Sequence, residues 1–156
     1  PIARYGSRDL LEEEDGGWMR FFPSSGSAPL GSFSRHGVGR DLCIVTYGNG
    51  VFLSRQAQAE LGPGVSVLDL RWLAPLDGDA LLAATEQDTA VLIVDECRRT
   101  GSQSEALMAL YAEDGRTRVA RVTAEDSFIA TGPAYAATLP SCAGIVAAAR
   151  ALLAEG

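Results

Sequence analysis

The amino-acid sequence predicts a three-layer α/β/α sandwich built on a mostly parallel sheet. Two observations predict it. Short runs rich in β-branched and other apolar residues recur at 42–47, 65–70, 90–95 and 118–122. Each stretch between them is long enough to hold a helix, and a crossover of that length joins parallel neighbours. Right-handed crossovers then place helices on both faces of the sheet.

Residues 1–31 read as a linker or arm. They carry an acidic run, Glu12 to Asp15, and the proline-, serine- and glycine-rich segment Pro23-Ser24-Ser25-Gly26-Ser27-Ala28-Pro29. Trp18, Phe21 and Phe22 are out of place in a solvated linker, so the arm is expected to pack on a neighbouring surface. Residues 32–156 form the domain. Ser32 to His36 alternates weakly, as a short edge strand does. Leu42 to Tyr47 is the first strong strand, and Gly48-Asn49-Gly50 is its turn. Leu53, Ala57 and Leu61 then recur at helical spacing until Gly62-Pro63-Gly64 stops the helix.

Val65 to Leu70 is the second strong strand. Asp77 suits the N-cap of a helix entering at Ala80-Leu81-Leu82. Ala90 to Asp95 is continuously apolar up to its last residue, as in a strand covered on both faces. Ser102 to Glu105 matches a capping box, and the helix behind it presents Leu107, Leu110 and Tyr111. Arg118 to Val122 is a fourth inner strand. Pro140 and Ser141 start the last helix, whose stripe is Ile145, Val146, Ala149, Leu152 and Leu153. There is no internal repeat.

Composition excludes several function classes. The chain has 156 residues, 47% of them hydrophobic, enough for one domain with a real core. Its formal net charge of -7 argues against nucleic acid or an anionic membrane; it is compatible with a basic protein partner, though most acidic surfaces are simply solvated. All 13 basic residues are arginine, so no lysine Schiff base or phosphate-loop lysine arises within the chain. Cys43, Cys97 and Cys142 form no metal-binding spacing, and Cys43 and Cys142 lie in apolar runs as packing residues. Free thiols point to a reducing, cytoplasmic compartment. His36 is the sole histidine, which leaves no zinc site or Ser-His-Asp triad; it reads as a surface residue in a glycine-flanked loop. No apolar run nears the roughly 18 residues needed to span a bilayer, and no signal peptide is evident. Pro1-Ile2-Ala3-Arg4-Tyr5 reads like the exit from something already folded, so a fragment is expected.

Open parallel sheets bind ligands at the carboxyl ends of their strands, which singles out Gly48, Asn49, Glu96, Arg98, Arg99 and Glu105. Gly48 and Gly50 lack the third glycine of a dinucleotide fingerprint, so Gly48-Asn49-Gly50 reads as a tight strand-to-helix turn. Asp95-Glu96-Cys97-Arg98-Arg99 admits two readings. Functionally, Arg98 or Arg99 holds an anion and lowers the Cys97 pKa. Structurally, the arginines pair with Glu96, Glu105 or a neighbouring domain; no general base for a nucleophile is evident, and this second reading is preferred. Asp69, Asp77 and Asp79 hint at paired carboxylates, but Asp77 is better explained as a cap and Asp69 lies in a strand. Glu125 and Asp126 are loop residues facing solvent or a partner.

These residues together resemble a known family. Asp41 to Gly50 is similar to the opening strand and turn of the transketolase C-terminal domain. Val67 to Asp77 resembles its second strand and D-L-R-x-L-x-P-L-D signature. Val91 to Glu96, Gly101 to Ala106, and Arg121-Val122 with Asp126 resemble three further blocks, in order. The resemblance covers residues 31–154. Pro1 to Tyr5 with Arg8-Asp9-Leu10, and Asp126-Ser127-Phe128-Ile129, are similar to the beta side of 2-oxoacid dehydrogenase E1 components. Ser102-Gln103-Ser104 stands where the family has glycines, and Ala130 where it has a proline.

The resemblance implies a five-stranded mixed sheet whose antiparallel edge strand is Ser32 to Gly37. It implies a domain for subunit assembly, for shaping the substrate entrance and for docking a basic acyltransferase domain. The expected partners are upstream pyrimidine- and diphosphate-binding domains, a second protomer and the lipoyl acyltransferase. The intact enzyme would use thiamine diphosphate and magnesium. The fragment lacks the family's G-D-G motif (Asp15-Gly16-Gly17 has no leading glycine), and Asn49 is its only asparagine, so no cofactor is expected here. The rival expectations are a regulatory ligand-binding module and the matching domain of a 2-oxoacid ferredoxin oxidoreductase.

Overall fold

The computed structural model describes residues 11–12, 14–17, 26–129 and 132–154. The expected packing of Trp18, Phe21 and Phe22 lies outside them. The elements run β1 (Ser34–His36), β2 (Leu42–Thr46), α1 (Asn49–Leu61), β3 (Val65–Asp69), α2 (Gly78–Thr85), β4 (Val91–Arg98), α3 (Gln103–Glu113), β5 (Val119–Ala124) and α4 (Cys142–Ala154), with a 3-10 segment at Gly132–Ala137. The five strands form one sheet in the order β1-β3-β2-β4-β5. β1 pairs antiparallel with β3, with Ser34 opposite Asp69. The other pairings are parallel, with Thr46 opposite both Asp69 and Val94.

Alternation along the strands sends successive side chains to opposite faces and so builds two cores. Leu42, Ile44, Val67, Leu92 and Val94 pack with Ala57 of α1 and Ile145, Val146 and Ala149 of α4. Cys43, Val45, Leu68, Val91 and Ile93 pack with Leu81 of α2 and Leu107 and Tyr111 of α3. β2 is buried at every position because helices cover both of its faces. The expected three-layer sandwich and its antiparallel edge strand are therefore observed.

Several local expectations need correction. The strand at 118–122 is not an inner strand. β5 closes the far edge of the sheet, and its residues Val119 to Thr123 are only half-buried. Asn49 and Gly50 belong to the first turn of α1 and not to a separate turn. His36 ends β1 and is half-buried, where burial and then the nearby Arg55 charge lower its pKa. The capping box at Ser102 does not form. The Ser102 hydroxyl pairs with that of Ser104, and Glu105 accepts from the Gly101 N–H at 2.8 Å.

Other helix ends follow the sequence. Asp77 accepts from the Ala80 N–H at 2.9 Å and caps α2. Ser141 accepts from the Gly144 N–H at 3.1 Å and opens α4. At its far end, Arg118 donates to the Leu152 carbonyl at 2.9 Å, satisfying an orphan acceptor of the last turn.

A buried ion pair ties β1 to the sheet. Asp88, whose side chain is fully buried, accepts from Arg35 Nη2 at 2.6 Å and from Arg40 at 3.4 Å. Arg35 also donates to the Ala84 carbonyl at the end of α2. Arg116 donates to the carbonyls of Asp88 and Thr85, at 3.0 and 2.8 Å. Among the described residues, no helix is long and apolar enough to cross a membrane.

Candidate functional site

The carboxyl ends of β2 and β4 meet at one place because the two strands are neighbours in register. Past β2 the chain turns at Gly48, whose φ of 57° lies in the left-handed region that a glycine enters without strain. Gly50 follows under a second constraint. A Cβ there would collide with the Thr46 hydroxyl, which itself donates to the Val94 carbonyl at 2.8 Å. Both glycines therefore serve the entry of α1 against β2 and β4, in line with the tight-turn reading.

β4 shifts register between Asp95 and Arg98. Such an irregularity re-aims side chains at a strand end. Glu96 accepts a hydrogen bond from the Asn49 side-chain amide, linking β4 to the first turn of α1. Cys97 comes within 3.8 Å of the Tyr47 hydroxyl. Asp95 organises the group. Its carboxylate accepts from the Tyr47 hydroxyl at 2.6 Å, the Cys97 N–H at 2.8 Å and the Ser104 N–H at 3.1 Å. Burial opposes its ionisation. The hydrogen bonds from Tyr47, Cys97, Ser102 and Ser104 outweigh that and hold its pKa below the ordinary carboxylate range. Burial and then the Asp95 carboxylate push the Tyr47 phenol upward.

The six residues singled out from the sequence fall into three groups. Gly48, Asn49 and Glu96 come together as described. Arg98 donates from Nε to the Thr100 carbonyl at 3.0 Å. Thr100 in turn donates from its N–H and hydroxyl to Asp126, at 2.9 and 2.6 Å. The Thr100 hydroxyl, then its N–H, lower the Asp126 pKa. Arg99 and Glu105 line a separate cleft beside β5. Among the described residues, neither Arg98 nor Arg99 forms an ion pair with Glu96 or Glu105, which corrects that part of the structural reading.

The functional reading of Cys97 is corrected too. Its pKa is raised: burial, joined by the carboxylates of Asp95 and Glu96, outweighs the lowering hydrogen bond from Tyr47. Cys43 is fully buried and its thiol is pushed up to about 12, mainly by burial. All three cysteines are free thiols.

Among the described residues, no group of three His, Cys, Asp or Glu side chains is arranged to hold a metal ion. Asp95 and Asp126, the strand-end aspartates nearest the singled-out residues, already accept protein hydrogen bonds. Among the described residues, the side chains at these strand ends offer no convergent set of ligands to a magnesium-bound diphosphate.

The sequence shows Asp95 as part of a charged cluster and not as its hub, and Tyr47 only as a strand residue. Asp88 carried no signal at all, because its partner Arg35 lies 53 positions away. A lone Asp closing an apolar strand was the one available clue to Asp95.

Comparison with known proteins decides the family. Residues 31–145 match the family model described as transketolase, C-terminal domain. The chain belongs to the transketolase C-terminal domain family. Over 122 residues it is 32% identical to a pyruvate dehydrogenase E1 component subunit beta of Staphylococcus epidermidis, and 31% identical to that of Staphylococcus aureus. Those alignments take in 74% of this chain, and the chain spans 38% of the length of these curated relatives.

Two solved structures share the transketolase C-terminal domain fold. A split-gene transketolase, an inactive beta4 tetramer, aligns at a TM-score of 0.73 and 22% identity, over 85% of this chain and 45% of that one. A 2-oxoglutarate:ferredoxin oxidoreductase of Magnetococcus marinus aligns at 0.57 and 18% identity, over 78% of this chain and 20% of that one. At those identities the likeness is one of fold.

Proposed function

We propose that the chain is the C-terminal assembly and docking domain of the beta side of a 2-oxoacid dehydrogenase E1 component. The observation that carries the reading is the 32% identity to pyruvate dehydrogenase E1 beta over 122 residues. In the proposal, residues 1–31 are the arm leaving an upstream pyrimidine-binding domain and residues 32–156 are the docking domain. The intact cytoplasmic enzyme oxidatively decarboxylates a 2-oxoacid and transfers the acyl group to lipoamide. Thiamine diphosphate and magnesium belong to its other domains, together with a second protomer.

Two features support docking. The net charge of -7 complements a basic acyltransferase subunit-binding domain. The loop after β5 exposes Phe128 at 98% and Ile129 at 48%, apolar side chains presented to a partner and not to the core. The test is a titration of the chain with the subunit-binding domain of a lipoyl acyltransferase, beside a calorimetric titration with thiamine diphosphate and magnesium. The proposal expects binding in the first and none in the second. Micromolar cofactor affinity would overturn the division of domains. A thermal shift with nucleotides or acyl-CoA species, and none with the acyltransferase domain, would favour a regulatory module.

The fold likeness to a ferredoxin oxidoreductase keeps that enzyme class as the second reading. A lipoyl acyltransferase gene adjacent to the parent gene favours the dehydrogenase; ferredoxin-linked subunits favour the alternative.

A further inference from the structure

β5 is an edge strand, and the chemistry beside it is not that of a plain edge. A cleft of about 570 Å3 opens between α3 and β5, lined by Arg99, Glu105, Met108, Ala120 and Arg121. Arg121 is held in place: its Nη1 donates to the Arg99 carbonyl at 3.1 Å and to the Ser104 hydroxyl at 3.3 Å. Its Nε and Nη2 make no hydrogen bond to the described residues, and neither does the Arg99 guanidinium. Glu105 is engaged by the Gly101 N–H at 2.8 Å. Two guanidiniums and one carboxylate leave the cleft with a single unmatched positive charge.

The backbone adds a donor. A parallel strand bonds each neighbour through alternate residues. The Val91 N–H donates to the Arg118 carbonyl at 3.0 Å. Residues 118, 120 and 122 therefore face β4, and the N–H groups of Val119, Arg121 and Thr123 face the open edge. The Arg121 N–H thus lies on the side where, among the described residues, no further strand pairs. Met108 supplies apolar lining next to these donors, and the Ala120 backbone runs beside it while its methyl packs on the α1/α4 face.

We propose that this cleft is a binding site for a monocarboxylate carried on a short aliphatic chain. Arg99 and Arg121 hold the carboxylate, for which the planar fork of arginine is suited. The aliphatic chain lies along Met108. The single unmatched charge selects a monoanion over a dianion such as phosphate. The carboxylate belongs either to a free short-chain acid or to a glutamyl side chain of an extended segment laid along β5. The site is independent of the docking function proposed above, so either stands if the other fails.

The test is a nuclear magnetic resonance titration of the chain, following the Met108 methyl, the Arg121 amide and the Arg99 and Arg121 Nε–H signals. The probes are butyrate, inorganic phosphate, and a short peptide with one glutamate among alanines. Saturable shifts of these signals by butyrate identify a free acid as the source; shifts by the peptide alone identify a protein segment. In either case Arg99→Gln, at an exposed position whose guanidinium bonds none of the described residues, is expected to weaken binding about tenfold, the loss of one charge-assisted hydrogen bond. Three results would each overturn the proposal: no saturable shift with butyrate or peptide, equal shifts with phosphate, or unchanged affinity in Arg99→Gln. Any of them would leave the arginines as charges that guard an open sheet edge.

Discussion

The Asp95 carboxylate, at the end of β4, accepts the backbone N–H of Ser104 at 3.1 Å, so a strand caps the helix that follows it. The same carboxylate holds the Tyr47 hydroxyl at 2.6 Å and thereby joins the ends of the two central parallel strands. Ser102, the residue placed for the capping role, faces Ser104 instead. Asp95→Ala should therefore act as a lost cap and a lost network together. The expected cost is about 2–3 kcal/mol, with the Tyr47 hydroxyl and the Cys97 and Ser104 N–H groups left without that acceptor. Urea denaturation of the two proteins measures it, and a change under ~0.5 kcal/mol would contradict the assignment.

The same group gives a pH dependence of known sign. The folded pKa of Asp95 is depressed below that of the unfolded chain. The unfolded state therefore takes up the proton first as acid is added. The stabilisation is complete above about pH 4, near the unfolded carboxylate value, and is lost as pH falls through the folded value. The denaturation midpoint should drop below that pH, and drop less steeply in Asp95→Asn.

Asp88 presents the sharpest case of an interaction the fold cannot lose piecemeal. Its buried carboxylate is matched by Arg35 and Arg40. Asp88→Ala would leave the largely buried Arg35 guanidinium without its counter-charge, at an expected cost of about 3–5 kcal/mol. Amide exchange should show β1 loosening first, since Arg35 is its central residue.

Gly50 tests the reading of the first strand end. Gly50→Ala places a methyl against the Thr46 hydroxyl and should cost about 1–3 kcal/mol by overpacking. Thr46→Ser combined with Gly50→Ala should recover little, because the hydroxyl and not the methyl is the atom in the way. Thr46→Ala in the same background should recover more. Thermal melts of the three variants give the order.

The cysteines should separate by reactivity. Cys97 is exposed, Cys142 half-buried and Cys43 fully buried with a thiol pushed up to about 12. Alkylation followed by mass spectrometry should label Cys97 first, Cys142 second, and Cys43 only on unfolding. Early labelling of Cys43 would mean that the α2–α3 face opens far below the global transition.

The architecture was legible because its signals are local. Ala90 to Val94 is apolar throughout and buried, as a strand covered on both sheet faces is. The spacing of Ile145, Val146, Ala149 and Leu152 marks one helical face, and all four are buried. Asp77 and Ser141 cap the helices they precede because a cap acts within three residues. The edge position of β5 is not legible, because Arg118 to Val122 looks alike at the centre or at the edge of a sheet. Only the strand order settles which.

The sequence alone therefore determined the layers, the strand and helix alternation and the family, since periodicity and ordered motifs are properties of neighbouring residues. Tertiary structure alone decided that Asp95 and not Ser102 caps α3, that Asp88 answers Arg35 across 53 positions, and that Arg99 shares a cleft with Arg121 and not with Glu96. Hydrogen bonds and charges act over a few ångströms of space, and distance along the chain carries no record of which residues folding will bring that close.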